Sequence, residues 1–299
     1  MTSTSAPDMR ATCPIQQSIG IEPYRGAPAT LFGYTPNAHE ILRGLRCHEF
    51  VAYVQPKFEL DSNAVHSVEV LARWDHPQRG LLAPAAFIPL MAFESLLLDE
   101  LICELLDQGL ACQTELHSQG RTLGFSFNLS LLQLANDVLI GRLIARLGEH
   151  TLPLSLVTFE ITEDAPSVAS AACAQNVSRL RRLGVRMSLD DYGTGYSSLL
   201  RLCQLSFDEL KLASQVTWHA IENRQYRSVI GNTVALAQEL RMQLIVEGIE
   251  TEGQRVWLKQ MGVQLGQGYL HSRPMAADSF AEWLRANPYA IATRSSFNN

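Results

Sequence analysis

Short apolar runs that alternate with longer amphipathic stretches are the feature that most restricts how this chain can fold. Eight runs are rich in β-branched and aromatic residues and short enough to be strands; they span residues 50–58, 65–74, 123–129, 156–161, 185–189, 209–212, 243–246 and 263–268. The stretches that repeat apolar residues every three or four positions are long enough for crossover helices; they span residues 93–118, 131–147, 168–183, 214–240 and 252–261. This alternation predicts an α/β fold of the TIM-barrel type, and 299 residues suit one.

The link between the first two predicted strands is too short for a helix. Only residues 59–64 separate them, whereas parallel neighbours need a crossover of about a dozen residues or more. A hairpin is therefore expected, and the sequence predicts a modified (β/α)8 barrel whose first two strands are antiparallel. Residues 1–37 are rich in Ser, Thr, Pro, Gly and Ala and are predicted to be a flexible leader. We expect the barrel over residues 38–287 and a short tail over 288–299.

Composition excludes several classes of protein. With 46% apolar residues the chain is not expected to be disordered, and 24 basic against 30 acidic residues argue against a protein that holds a DNA or RNA polymer. The six cysteines form no C-x-x-C pair, so neither a zinc site nor a disulfide framework is indicated. No signal peptide and no apolar run of 18 residues is present, and we expect a cytoplasmic protein without membrane contact.

Polar side chains interrupt or directly follow six of the predicted strands. They are Glu69, Asn128, Glu160 with Glu163, Asp190 with Asp191, Lys211 and Glu247. One carboxylate after a strand is more often a helix cap than a catalyst. Several carboxylates at one barrel mouth, however, would repel each other unless cations neutralised them. Asp, Glu and Asn oxygens select hard cations, Mg²⁺ or Mn²⁺, and the adjacent pair Asp190-Asp191 suits a site for two metals.

An ordered set of short motifs resembles the EAL-domain cyclic-di-GMP phosphodiesterases. The resemblance runs from about residue 40 to about residue 283, in the same order and at similar spacing. Each motif alone is weak, but the ordered set is specific. The motifs are Gln55-Pro56, Glu69-Val70-Leu71-Ala72-Arg73-Trp74, Asn128-Leu129-Ser130, Glu160-Ile161-Thr162-Glu163, the run from Asp190 to Leu199, Leu210-Lys211-Leu212, Glu247-Gly248-Ile249-Glu250 and Gln267-Gly268-Tyr269.

The resemblance implies a metal-dependent hydrolase that converts cyclic di-GMP to linear 5′-pGpG with two Mg²⁺ or Mn²⁺ ions, in a homodimer. The implied metal ligands are Glu69, Asn128, Glu160, Asp190, Asp191 and Glu247. Lys211 would stand beside the nucleophilic water, and Gln55, Arg73 and Gln267 would contact the dinucleotide. Glu163 would anchor the glycine-containing loop that follows Asp191 and couples the metal site to the dimer interface.

One departure from the family pattern bears on activity. The family normally places Asp two residues after the lysine, near the second metal, and this chain has Ala213 there. An impaired module that binds cyclic di-GMP or a protein partner is therefore the first alternative. The second is a lyase of the enolase type, in which carboxylates hold Mg²⁺ and a lysine abstracts a proton. Arg73, Gln55 and the ordered motifs argue against that lyase.

Overall fold

The barrel predicted from the apolar runs is present. A computed structural model describes residues 36–162, 169–194 and 198–287. Its strands are β1 Phe50–Glu59, β2 Val65–His76, β3 Gly80–Leu82, β4 Gly124–Leu129, β5 Val157–Ile161, β6 Arg186–Tyr192, β7 Glu209–Leu212, β8 Gln243–Val246, β9 Leu265–Gln267 and β10 Met275–Ala276. Eight of them close a barrel in the order β1-β2-β4-β5-β6-β7-β8-β9, and β9 returns to β1.

The first strand runs against all its neighbours. β1 is antiparallel to β2 and to β9, whereas the pairs from β2 round to β9 are parallel. The hairpin expected between the first two strands is thus confirmed. Its turn contains Asn63 at a φ of 60°, a backbone conformation that Asn tolerates better than most residues. Two short strands at the rim, β3 and β10, were not predicted.

Helices cover the outside of the barrel. They are α1 Ala38–Arg46, α2 Ile88–Met91, α3 Ser95–Ser118, α4 Leu131–Leu134, α5 Asp137–Glu149, α6 Ala171–Arg182, α7 Ser198–Gln204, α8 Ser214–Ala220, α9 Arg224–Glu239, α10 Glu252–Gln260 and α11 Ala277–Ala286. One apolar layer lies mainly beneath α3, α5 and α6, and a second lies beneath α8, α9 and α10. In the part of the chain that the structure describes, no helix combines the length and the apolar character needed to cross a bilayer.

Two predicted helices are each divided by an asparagine. The stretch 131–147 becomes α4 and α5 because the Asn136 side chain accepts hydrogen bonds from the backbone N–H groups of Val138 and Leu139 and so caps a new helix. Asn223 does the same for α9 by accepting from the N–H of Gln225. Residues 1–35 of the leader predicted over 1–37, and the tail predicted over 288–299, lie outside the described residues, so both remain predictions.

Candidate active site

One buried lysine stands at the centre of the site. In β7 the side chains alternate, so that Leu210 and Leu212 join the apolar layer beneath the helices and Lys211 turns into the barrel. Lys211 is 1% exposed. Its Nζ lies 2.6–3.2 Å from a carboxylate oxygen on each of four strands or strand ends: Glu160 Oε2 at 2.6 Å, Glu247 Oε1 at 2.8 Å, Asp190 Oδ1 at 2.9 Å and Glu69 Oε2 at 3.2 Å.

Three carboxyl groups around this lysine differ in the direction of their pKa shifts. Burial raises the pKa of Asp190 and of Glu247, and the attraction of Lys211 offsets this only in part. Burial would also raise the pKa of Glu160, but the ammonium groups of Lys211 and Lys57 outweigh it and lower that pKa. Burial would lower the pKa of Lys211, but its four carboxylate neighbours raise it well above the ordinary value. Asp190 and Glu247 therefore hold a proton more readily than ordinary carboxyl groups do, whereas Glu160 loses its proton more readily.

A backbone irregularity turns two adjacent aspartates toward the same place. Successive side chains of a regular strand point to opposite faces of the sheet. Here the β6–β7 register shifts between Leu189 and Tyr192, and Asp191 has a φ of 56°. As a result Asp190 and Asp191 can each place a carboxylate oxygen, together with one of Glu247, in a group whose atoms all lie within 4.8 Å of one another.

The donor set of this group suits a divalent cation. All of its donors are carboxylate oxygens, which hard cations such as Mg²⁺ and Mn²⁺ prefer. Asp190 Oδ1 is buried and, among the described residues, has an ion pair with Lys211 but no hydrogen bond of good geometry. A buried oxygen without a hydrogen bond, beside two further carboxylates, is available to a metal ion.

The remaining predicted ligands join the same network. Asn128 Nδ2 donates to Glu69 Oε1 at 2.9 Å, and Gln267 Nε2 donates to Glu69 Oε2 at 2.8 Å. Gln267 Nε2 also lies 3.1 Å from Gln55 Oε1. Two glutamines expected to contact substrate are therefore linked to a carboxylate expected to bind metal. Arg73 lies on the same strand face as Glu69, four residues closer to the mouth, with its guanidinium 5.4 Å from the centre of the Tyr53 ring.

Two glycines bring the last loops of the site together. Gly248, directly after Glu247, has a φ of 72°, and a Cβ there would lie 2.7 Å from Ser214 Cβ. A Cβ on Gly268, directly after Gln267, would lie 2.2 Å from the backbone oxygen of Ile249. The backbone N–H of Ile249 in turn donates to the backbone oxygen of Gln267 at 3.1 Å. Residues larger than glycine would push apart the backbones that carry Glu247 and Gln267.

Ten of the eleven predicted site residues can be located, and all ten lie at the interior or mouth of the barrel. The exception is Glu163, which lies outside the described residues together with residues 195–197 of the loop that it was predicted to anchor. Ala213 is fully buried. Lys57, which the sequence reasoning missed, is fully buried against Glu160. A lysine inside an apolar run, two residues after Gln55 and hence on the same strand face, was the available signal.

Comparison with known proteins agrees with this geometry. The EAL domain family model matches residues 38–274. The cyclic di-GMP phosphodiesterase RocR of Pseudomonas aeruginosa is 40% identical over 248 residues, which are 83% of this chain and 63% of RocR. The cyclic di-GMP phosphodiesterase PdeR of Escherichia coli K12 is 30% identical over 243 residues, which are 81% of this chain and 36% of PdeR. The chain thus spans less than two thirds of the length of these relatives.

A solved structure described as the PaMucR phosphodiesterase in complex with c-di-GMP superimposes with a TM-score of 0.73 at 33% identity. The match covers 81% of this chain and 98% of that structure. The family model covers most of the barrel, including the strands and strand ends that carry the buried acidic network. The chain belongs to the EAL domain family.

Proposed function

We propose that this chain is a phosphodiesterase that hydrolyses one 3′–5′ phosphodiester bond of cyclic di-GMP and releases linear 5′-pGpG. The observation that carries the proposal is the convergence of four carboxylates on the Nζ of Lys211, with Asp191 and Asn128 beside them. RocR and PdeR, to which this chain is similar, are named cyclic di-GMP phosphodiesterases. Buried charge of this density is costly, and it is retained most readily where it performs chemistry.

Metal ligation is assigned to six residues. We propose that Glu69, Asn128, Glu160, Asp190, Asp191 and Glu247 hold two Mg²⁺ or Mn²⁺ ions. When bound, such ions make water nucleophilic near neutral pH and neutralise charge on the phosphate. Lys211 contributes a fixed ammonium beside the attacking oxygen, where it stabilises negative charge that develops in the transition state.

Substrate contact is assigned to three residues nearer the mouth. The planar guanidinium of Arg73 matches two phosphate oxygens. The amides of Gln55 and Gln267 can each donate and accept hydrogen bonds, as recognition of a dinucleotide requires. Gln267 also donates a hydrogen bond to Glu69. It would therefore fix the position of a bound dinucleotide relative to the metal ligands. We further propose that Glu163 anchors the loop after Asp191 and that the chain acts in the cytoplasm as a homodimer.

Turnover by the purified protein tests the proposal. Cyclic di-GMP is incubated with the protein and excess Mg²⁺ or Mn²⁺, and the products are separated by chromatography. We expect pGpG with the wild-type chain and a loss of at least about a hundredfold with Glu69→Gln, because that carboxylate contacts both Lys211 and Gln267. Turnover that survives this substitution would overturn the assignment of Glu69.

Ala213 supports a second candidate, a receptor that binds cyclic di-GMP without cleaving it. The position is fully buried at the end of β7, and a methyl group there supplies no oxygen for a second metal. Tight binding of cyclic di-GMP by the wild-type protein with no pGpG formed in excess Mn²⁺ would refute the enzyme and favour the receptor.

A further inference from the structure

A second lysine reaches the site from the closed side of the barrel. Lys57 lies in β1, is fully buried, and extends its ammonium toward the floor of the acidic network. Its Nζ is paired with Glu160 Oε1 and lies 2.8 Å from Ser126 Oγ. The Ser126 hydroxyl donates in turn to the backbone oxygen of Val68 at 3.3 Å, which leaves its oxygen free to accept from the ammonium. Lys57 is thus held by one side chain of β4 and one of β5.

The two oxygens of Glu160 have different partners. Oε1 faces Lys57, on the side away from the mouth, and Oε2 lies 2.6 Å from Lys211, inside the carboxylate network. Glu160 itself is fully buried, so water does not compete with the lysines for either oxygen. Oε1 is held by an ammonium that contacts no other carboxylate among the described residues, whereas Oε2 shares the Lys211 ammonium with Glu69, Asp190 and Glu247 and so faces the group that would bind an ion.

The number of oxygens that a carboxylate offers affects which cation it prefers. Mg²⁺ requires near-ideal octahedral geometry with short bonds, and a carboxylate bound through one oxygen suits it. Ca²⁺ accepts six to eight oxygens and often takes both oxygens of a carboxylate. A ligand limited to one oxygen therefore favours the smaller ion.

We infer that Lys57 is a positioning residue that restricts Glu160 to one ligating oxygen and thereby favours Mg²⁺ or Mn²⁺ over Ca²⁺. The inference rests on the metal site of the proposed function. Lys57 touches neither substrate nor metal in this role and acts through the carboxylate that it holds. Partners that orient a metal ligand in this way are typically worth 10–100-fold in metal affinity.

Substitution Lys57→Met tests the inference, because Met is unbranched, similar in length and uncharged. Mn²⁺ and Ca²⁺ are titrated separately into metal-free full-length protein by calorimetry. Removing a positive charge strengthens the binding of both divalent ions alike, so the ratio of their dissociation constants isolates the effect on the ligand. We expect the dissociation constant of Ca²⁺ divided by that of Mn²⁺ to fall about tenfold or more, because Ca²⁺ gains a second oxygen of Glu160. A ratio within twofold of the wild-type value would overturn the inference.

A second variant keeps the test decisive if Lys57→Met does not fold. Glu160→Gln has the same shape but a single amide oxygen, so it can bind an ion through one oxygen at most. If Glu160 already offers one oxygen, this variant weakens both ions and leaves the Ca²⁺ to Mn²⁺ ratio within about threefold of wild type. A preferential tenfold loss of Ca²⁺ affinity would show that both oxygens were in use and would overturn the inference.

The double variant Lys57→Met/Glu160→Gln tests whether Lys57 acts through Glu160. In that background the addition of Lys57→Met is expected to leave the ratio unchanged, and a continued tenfold shift would contradict the proposed route. Failure of the proposed function gives a different result. Wild-type protein that binds neither ion would refute the metal site and the inference together, whereas wild-type protein that binds Mn²⁺ and cleaves substrate with an unchanged ratio in Lys57→Met would refute the inference alone.

Discussion

Removal of the central ammonium is the perturbation with the largest consequence that the structure predicts. Lys211→Met keeps an unbranched side chain of similar volume in β7. It deletes an ammonium that lies within 3.2 Å of all four carboxylate groups and leaves only Lys57, on Glu160, as a partner of these groups among the described residues. In metal-free protein those groups would face one another across an apolar methyl group. Some would take up protons, and others would remain charged without a partner.

The expected loss follows from the burial of these groups. Breaking a buried ion pair by deleting one partner typically costs about 3–5 kcal/mol, because the other charge is left without compensation. For a domain of this size, 1 kcal/mol corresponds to roughly 2–4 °C in melting temperature. We therefore expect the melting temperature of Lys211→Met in EDTA to lie roughly 6–20 °C below that of the wild type.

Divalent cations should reverse much of this loss. The Lys211 ammonium and a divalent cation compete for the same oxygens, so the variant is expected to gain more stability from Mn²⁺ than the wild type does. Melting is followed by circular dichroism in EDTA and in millimolar Mn²⁺, and turnover is expected to be lost in both. Lys259→Met is the matched control, because Lys259 pairs with Asp61 on the surface, where such pairs contribute about 0–1 kcal/mol. Equal melting of Lys211→Met and this control in EDTA would refute the reasoning.

Three further predictions concern single positions. Ala213→Asp adds an oxygen donor at the end of β7 and is expected to lower the Mg²⁺ concentration for half-maximal turnover by about tenfold; an unchanged value would show that the second metal does not need it. Gly268→Ala should lower the free energy of unfolding in urea by about 1–3 kcal/mol, because its Cβ would meet backbone. Gly141→Ala, with open space around it, should not lower that free energy. Equal effects of the two substitutions would contradict the packing argument. Burial, followed by the charge of Arg255, lowers the pKa of His271 from 6.5 to about 4. His271 therefore stabilises the fold above pH 6.5, and this contribution is lost as the pH falls toward 4, by at most about 1.4 kcal/mol per unit. As the pH falls over that interval, the urea concentration at the unfolding midpoint should decrease less steeply in His271→Phe than in the wild type. Parallel profiles would show that His271 does not cause the loss of stability.

The fold could be predicted closely from the chain because strand and helix periodicities agree with the barrel. The runs at 209–212 and 243–246 coincide with β7 and β8 to the residue. Helix ends were harder to predict, because Asn136 and Asn223 interrupt amphipathic patterns that continue on both sides. The rim strand β10 has two residues, too few for any periodicity to indicate it.

The site was predictable as a set of residues but not as a set of contacts. Polar residues at strand ends mark the mouth of any such barrel, and the motifs select which of them matter. Sequence could not show that Lys211 meets four carboxylates, since that depends on the closure of the barrel. Nor could it show the register shift that turns Asp191 beside Asp190. Lys57 was overlooked because one charged residue inside a strand is usually read as an edge or surface position.

The reversed direction of β1 determines the end at which the polypeptide enters the barrel. In a barrel of eight parallel strands the first strand begins at the face opposite the catalytic mouth. Here β1 begins at the mouth, where Val51 pairs with Arg73, and its ten residues then descend roughly 33 Å along the wall. Helix α1 consequently ends three residues before the strand on the substrate face, and Glu49 in that short link accepts a hydrogen bond from Trp74, the neighbour of Arg73. A displacement of α1 is therefore coupled to the strand that carries Arg73 through Glu49, which pairs with Arg43 of the helix and accepts the hydrogen bond from Trp74.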